Sequence, residues 1–188
     1  KHMGPAPALD ALRQAGVTLL QLSSPDHPKQ LRDNIQRVAE SLGLSETVAP
    51  LLARLDQQLL ALESQPITGS SAAFLLATDP AKLRLAGHGT TGEAFIRLTG
   101  GHNVADFTNY RTVSAESLLA MDPDIIILAG QEKDHALDSF IKSNPVLAHS
   151  RAARFRHIIA VDGSTLVAGL SLASIEEARQ LILAVKAN

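Results

Sequence analysis

Apolar positions follow two different rhythms along the chain. Leu31, Ile35, Val38, Ala39 and Leu42 recur at helical spacing, as do Leu51, Leu52, Leu55, Leu59 and Leu62. Gly43 stops the first of these helices, and Ser45 with Glu46 is expected to cap the second, which runs through about Glu63 with Pro50 tolerated in its first turn. At about 1.5 Å per residue the second helix reaches roughly 30 Å. Upstream, Pro5–Ala15 reads as a short helix stopped by Gly16, Val17–Leu22 as a strand and Ser23–Pro28 as a loop.

Beyond the linker Gln65–Ser71 the rhythm changes, and short apolar runs alternate with helical segments. Strands are expected at Ala72–Ala77, Asp124–Leu128 and His157–Val161, with Lys82–Ala86 a further short strand or a turn. Helices are expected at Thr90–Thr99, Ser114–Met121, His135–Lys142 and Ser174–Lys186. This order predicts an α/β fold, a mainly parallel sheet flanked by helices.

Composition narrows the function more than the fold. The 188 residues suit one domain, or one domain with part of another. A hydrophobic content of 45% with only 3% aromatics makes Leu, Ala, Ile and Val the core formers. A net charge of −2, no Trp and one Tyr argue against a nucleic-acid surface. The absence of Cys excludes disulfides, zinc-thiolate sites and thiol nucleophiles, and suits a bacterial protein of an oxidising compartment. No apolar run reaches the roughly 18 residues that span a membrane. Lys1, His2 and Met3 resemble an expression scar, and no signal peptide follows them.

Ligands of open α/β sheets bind at loops past the carboxyl ends of strands, which points to four regions: Thr78–Lys82 with Gly87–Thr91, Phe107–Arg111, Gly130–Asp134 and Asp162–Gly169. The run Gly87-His88-Gly89-Thr90-Thr91-Gly92 opens a helix. It is either a weak anion cradle or an ordinary turn with Thr90 or Thr91 as the N-cap. No HxxxH or HxH occurs, so a metal site built by the protein is not expected. His88 is a candidate ligand for the metal of a bound cofactor, against the reading of a turn histidine. His27, His135, His149 and His157 read as solvated. Gly169-Leu170-Ser171-Leu172-Ala173 is not a nucleophile elbow, and Asp122-Pro123-Asp124 reads as a turn into a strand. Tyr110 beside Arg111 offers an aromatic face, a phenolic oxygen and a carboxylate-binding fork, or else a Tyr packed on a sheet edge with a solvated Arg. Glu116, in the first turn of the Ser114-capped helix, complements the helix dipole or docks on a partner's arginine. No catalytic constellation emerges.

The stretches GPAPALDALRQAGVTLLQL, LRDNIQRVAESLGL, AGHGTTGEAFIRLTGGHNVADF, YRTVSAESLLAMDPDIIIL and VDGSTLVAGLSLAS, in this order and spacing, resemble the class III substrate-binding proteins of bacterial ABC importers. Within that class they are closest to the periplasmic haem-binding branch. The resemblance implies two α/β lobes joined by a rigid helix, with ligand held between them. It implies a remnant of the N-terminal lobe at 4–27, connecting helices at 28–69, with Ser45–Gln65 part of the long one, and the C-terminal lobe at 70–188.

By the same resemblance Tyr110, Arg111, His88, Thr90, Ser164 and Leu166 face the ligand cleft, and Glu116 docks on an arginine of the membrane permease. Most of the N-terminal lobe is expected to be missing, together with the family's haem-ligating tyrosine and its second docking Glu. The expectation is therefore a periplasmic protein, not membrane-embedded, that binds haem as its transported ligand, with weak or no binding by this chain alone. Cobalamin or a ferric siderophore is the alternative ligand, and a small α/β enzyme the alternative class. The Val17–Leu22 strand, left without neighbours, is expected to be covered by a second copy of the chain or by a swapped element.

Overall fold

The computed structural model describes residues 6–77, 79, 82–130 and 136–187. The amino-terminal tripeptide, part of the expected loop at 78–82, most of the loop at 130–134 and His135 lie outside the described residues.

Three helices come first: α1 (Ala6–Gln14), α2 (Pro28–Ser41) and α3 (Ala49–Glu63). The α/β part follows as β1 (Ser71–Leu76), β2 (Leu83–Ala86), α4 (Thr91–Leu98), β3 (His102–Asn103), β4 (Tyr110–Val113), α5 (Ala115–Met121) and β5 (Ile125–Gly130). It closes with α6 (Ala136–Ser143), the single turn α7 (Arg151–Arg154), β6 (Ile158–Asp162) and α8 (Leu172–Ala187).

The sheet order is β4-β2-β1-β5-β6, with β3 also pairing with β1. β1, β5, β6 and β3 run parallel, in the register Ala72↔Ile125, Ile126↔Ile158 and Ser71↔His102. β2 returns antiparallel to β1 through Leu75↔Leu85, and β4 pairs antiparallel with β2 through Ala86↔Tyr110. The sheet is thus mixed and mostly parallel.

Both faces of the central strands are covered, which explains why their sequences are continuously apolar rather than alternating. Ala72, Phe74, Ile125, Ile127 and Val161 pack with Leu55, Leu62, Phe95, Ile96, Ile175, Ala178, Leu181 and Ile182 of α3, α4 and α8. Ala73, Leu75, Leu85, Ile126, Leu128 and Ile158 face the other way, onto Leu118, Phe140, Leu147 and Ala152.

Two expectations change at the amino-terminal end. Val17–Leu22 forms no strand, because an extended run becomes one only by hydrogen-bonding a neighbour, and among the described residues no strand lies beside it. Its contacts are instead with α2: the Arg37 guanidinium donates to the Gln21 carbonyl at 3.3 Å. Nearby, the Asn34 side-chain amide donates to the Ser23 carbonyl at 2.8 Å. The second long helix begins at Ala49 rather than at Ser45, with residues 45–48 a turn and Pro50 in its first turn. Its 15 residues span about 22 Å, shorter than the spacing alone suggested.

At the amino ends of β1 and β5 a polar clamp fixes the parallel register. The Asp124 carboxylate accepts the Ser71 amide and the Ser71 hydroxyl, both at 2.8 Å. Arg151 pairs with Asp122 and Asp124, at 2.9 Å to each. Partial burial pushes the Asp124 pKa up, but the Ser71 hydrogen bonds and the Arg151 charge outweigh it and hold the carboxyl below its ordinary 3.8. A depressed carboxyl stabilises the fold above its unfolded pKa, and that contribution is lost as pH falls through the lowered value. Asp124→Asn is therefore expected to cost about 1–2 kcal/mol at neutral pH, a figure reduced for partial exposure, and to make the remaining stability less sensitive to acid. Urea melts of both forms at neutral pH and near pH 3 check this, and parallel acid losses would contradict it.

Candidate functional site

The residues expected to face a ligand do not form one cluster, and strand geometry explains why. Tyr110 and Arg111 lie on β4, not in a loop, so their side chains leave opposite faces of the sheet. Tyr110 turns toward α4 and packs against the core there, with the Arg84 guanidinium 5.9 Å from its ring centroid. Its hydroxyl lies beside the Gly92 amide and the Thr90 side chain. Burial raises the phenol pKa above its ordinary 10.0, and those two neighbours with the Arg84 charge offset this only in part. Arg111 points the other way and stacks on Phe107, with its guanidinium carbon 4.8 Å from the ring centroid.

His88, Thr90 and Tyr110 do meet, at the start of α4. Thr90 is the N-cap: its hydroxyl accepts the Glu93 amide at 3.2 Å and donates to the Gly87 carbonyl at 2.7 Å. That role buries Thr90 and uses its hydroxyl, so its side chain is a structural cap and not a free ligand contact. The Glu93 carboxylate reaches past the cap, accepting the Gly89 amide at 2.8 Å and contacting His88 Nδ1 at 2.6 Å. The spacing Thr90-x-x-Glu93 was the signal in the sequence that the reading of a simple cap passed over.

The antiparallel return of β2 sets this turn beside the sheet edge, against Phe107–Asn109, rather than in line with the carboxyl ends of β1, β5 and β6. The His88 amide donates to the Phe107 carbonyl at 2.7 Å, and the Asn109 amide to the His88 carbonyl at 3.0 Å. Phe107 therefore joins His88, through its main chain, to Arg111, through its ring. The side chain of His88 is 52% exposed, and among the described residues its Nε2 has no hydrogen-bond partner.

The loop after β6 does lie at the carboxyl edge. Its Ser164 is exposed, with its amide donating to Asp162 Oδ1 at 2.9 Å. Leu166 is a correction: it is 5% exposed and belongs to the core, so it presents nothing to a ligand. Val167, 84% exposed, is the apolar side chain that this loop displays. The loop clasps the chain upstream of α2, the Ser24 hydroxyl donating to the Ala168 carbonyl and the Leu170 amide to the Pro25 carbonyl, both at 2.8 Å.

Glu116 stands exposed in the first turn of α5. Its own amide and the Ser114 hydroxyl beside it hold its carboxyl below the ordinary value, so it presents a charge to solvent at neutral pH. Among the described residues no group of three His, Asp or Glu is placed to hold a bare metal ion, and no helix is long and apolar enough to cross a membrane.

The described residues thus form an α/β lobe with both sheet faces buried and with His88, Ser164 and Glu116 exposed on its turns and at a helix start. Comparison makes the class specific. The description of periplasmic binding proteins matches residues 4–165, and the chain belongs to that family. The periplasmic haem-binding protein HutB of Vibrio cholerae superposes with a TM-score of 0.84 at 31% identity, over 97% of this chain and 73% of that one. A periplasmic haem-binding protein from Pseudomonas aeruginosa gives 0.79 at 29% identity, over 97% of this chain and 68% of that one. An Fe3+-hydroxamate transport protein from Saccharomonospora viridis gives 0.74 at 19% identity, over 93% and 64%, a level at which the fold alone is shared. Among curated proteins no sequence matches the chain. The family and these relatives are solute-binding proteins.

Tyr110 is the one tyrosine of the chain, so its burial can be read directly. Alkaline titration of the phenolate absorbance is expected to show a single midpoint above 10.0 that falls back once the chain is unfolded. A midpoint at or below 10.0 in the folded protein would place the ring on the surface.

Proposed function

We infer that the chain binds haem in the periplasm as cargo for an ABC importer permease, with His88 as a ligand to the iron. One observation carries this reading: the half-exposed His88 ring has Nδ1 engaged by Glu93 and, among the described residues, no partner for Nε2, and Arg111 stacks on the Phe107 whose backbone anchors His88. Imidazole Nε2 is a good ligand for haem iron, and a guanidinium fork suits a propionate carboxylate. Tyr110 contributes through the wall of α4 and not through iron, since its hydroxyl is turned toward Thr90 and Gly92. Ser164 and the exposed Val167 offer a polar and an apolar contact on the carboxyl edge. The domain reading that goes with this proposal assigns 28–69 to connecting helices and 70–188 to the lobe that carries these residues.

Titration of ferric haem into the full chain, followed in the Soret region, tests the cargo. The parent is expected to bind weakly and, at high haem concentration, to show an imidazole-type spectrum. His88→Ala is expected to lose it and to bind at least about tenfold more weakly, the scale of one lost iron–ligand bond or its support. Saturable binding of cobalamin or a ferric siderophore with no haem spectrum would move the function to that cargo.

Glu116 supplies the docking half of the proposal. Glu116→Ala is expected to weaken permease docking on the order of tenfold while leaving haem affinity unchanged. Transport assays with the reconstituted importer beside Soret titrations separate the two effects. Equal loss in both would remove Glu116 from the docking face.

A further inference from the structure

We propose that Glu93 is a positioning residue for the cargo site, fixing the tautomer and direction of the His88 ring and raising its strength as a ligand. The inference rests on the reading of His88 as an iron ligand and extends it to a residue that touches neither iron nor porphyrin.

In a capping box the acidic residue at the third helical position returns to the amide of the cap. Here the Thr90 hydroxyl accepts the Glu93 amide at 3.2 Å, which is the expected half of that motif. The other half is displaced toward the loop. Glu93 Oε2 accepts the Gly89 amide at 2.8 Å, one residue before the cap, and Oε1 meets His88 Nδ1 at 2.6 Å. A carboxylate needed only to close the helix would stop at the cap. This one occupies both oxygens with the turn that carries the imidazole.

The chemistry of the pair follows from donor and acceptor counting. An ionised carboxylate has no proton to give, so the hydrogen between the two groups sits on Nδ1 and the lone pair of the neutral ring sits on Nε2. Both oxygens of the carboxylate meet the turn, Oε2 at the Gly89 amide and Oε1 at the ring nitrogen, so the carboxyl group acts toward the ring as an acceptor. The backbone of His88 is pinned on both sides by Phe107 and Asn109. With the main chain and one ring nitrogen held, the remaining nitrogen points its lone pair into solvent in a fixed direction. A carboxylate behind a histidine ligand makes the ring a stronger donor, and loss of such a partner typically costs about 10–100-fold in metal affinity.

The test uses the full chain as parent, Glu93→Gln and His88→Ala. Before haem is added, NMR of the ring nitrogens reads the tautomer of His88. The parent is expected in the Nδ1–H form, and Glu93→Gln is expected to shift toward Nε2–H. With ferric haem bound, Glu93→Gln is expected to keep an imidazole-type spectrum. Its affinity should fall roughly 10–100-fold, and its reduction potential should rise, because a less basic imidazole stabilises ferric iron less. Glu93→Asp keeps the charge but withdraws it by one methylene, and serves as a second variant with the same expected direction. Circular dichroism and thermal melts establish that each variant is folded. An unchanged tautomer and an unchanged potential in folded Glu93→Gln overturn the proposal and leave Glu93 a brace for the loop. A His88→Ala form that keeps the haem spectrum of the parent overturns the iron-ligand reading instead, and the tautomer measurement still reports separately on what Glu93 does to the ring.

Discussion

Gly92 allows the amino end of α4 to lie directly on the sheet, and the placement of the site follows from that approach. A Cβ at this position would come within 2.6 Å of both the Phe74 ring and the Ala86 Cβ. Without one, the first turn of the helix rests on β1 and β2. Phe95, one turn further on, meets Phe74 edge-to-face with ring centroids 5.9 Å apart. Thr90 is buried as the cap, and the Tyr110 hydroxyl reaches the same turn from β4. Gly87 repeats the device on the other side of His88, where a Cβ would collide with the Phe107 carbonyl. The histidine therefore sits between two close contacts of backbone with core.

What could be read in the sequence and what could not divides along a physical line. β1, β5, β6, α4, α5 and α8 were legible because each has a long apolar signature and a clear cap or stop. Val17–Leu22 has the β-branched and apolar content of a strand, but a strand is a relation between two segments, and composition cannot supply the neighbour. β4 failed in the opposite direction. Four residues, Tyr110 to Val113, at the edge of a sheet carry too short an alternation to stand out from a loop. Of the two readings open for Tyr110 and Arg111, the strand fits the Tyr packed on the sheet edge, since adjacent residues converge from a loop but diverge from a strand. Leu166 was drawn to the surface by its place in a ligand-type loop, whereas the apolar residue that the loop displays is its neighbour Val167.

The second loop is organised differently from the first. Gly163–Leu170 is tied to Asp162, anchored in the core by Leu166 and Leu170, and joined to a distant stretch of chain at Ser24 and Pro25. Gly169, at φ 102°, has no room for a Cβ against Pro25, so the two backbones are in contact there. The segment around Ser24 and Pro25 leads directly into α2 and lies just after the extended residues 17–22. That segment is bonded to the loop bearing Ser164 and Val167 at Ala168 and Leu170. The His88 turn has no such link, because its bonds run to α4 and to Phe107–Asn109.

The lobe thus has a turn held by short bonds and a loop tied to the rest of the chain, and under the proposed function this bears on how a carrier both holds and releases its cargo. Fixing the imidazole in advance removes the ordering cost from binding, so more of the bond energy contributes to affinity. The same fixity prevents the imidazole from being the part that lets go. A carrier that must hand over its ligand needs differential contacts between the holding and releasing states, and a ligand that sees no difference between them shifts nothing. Under the proposed function, the tie to Pro25 makes the loop after β6 the element whose contacts would change with the segment upstream of α2, whereas the bonds of the His88 turn run to α4 and to Phe107–Asn109.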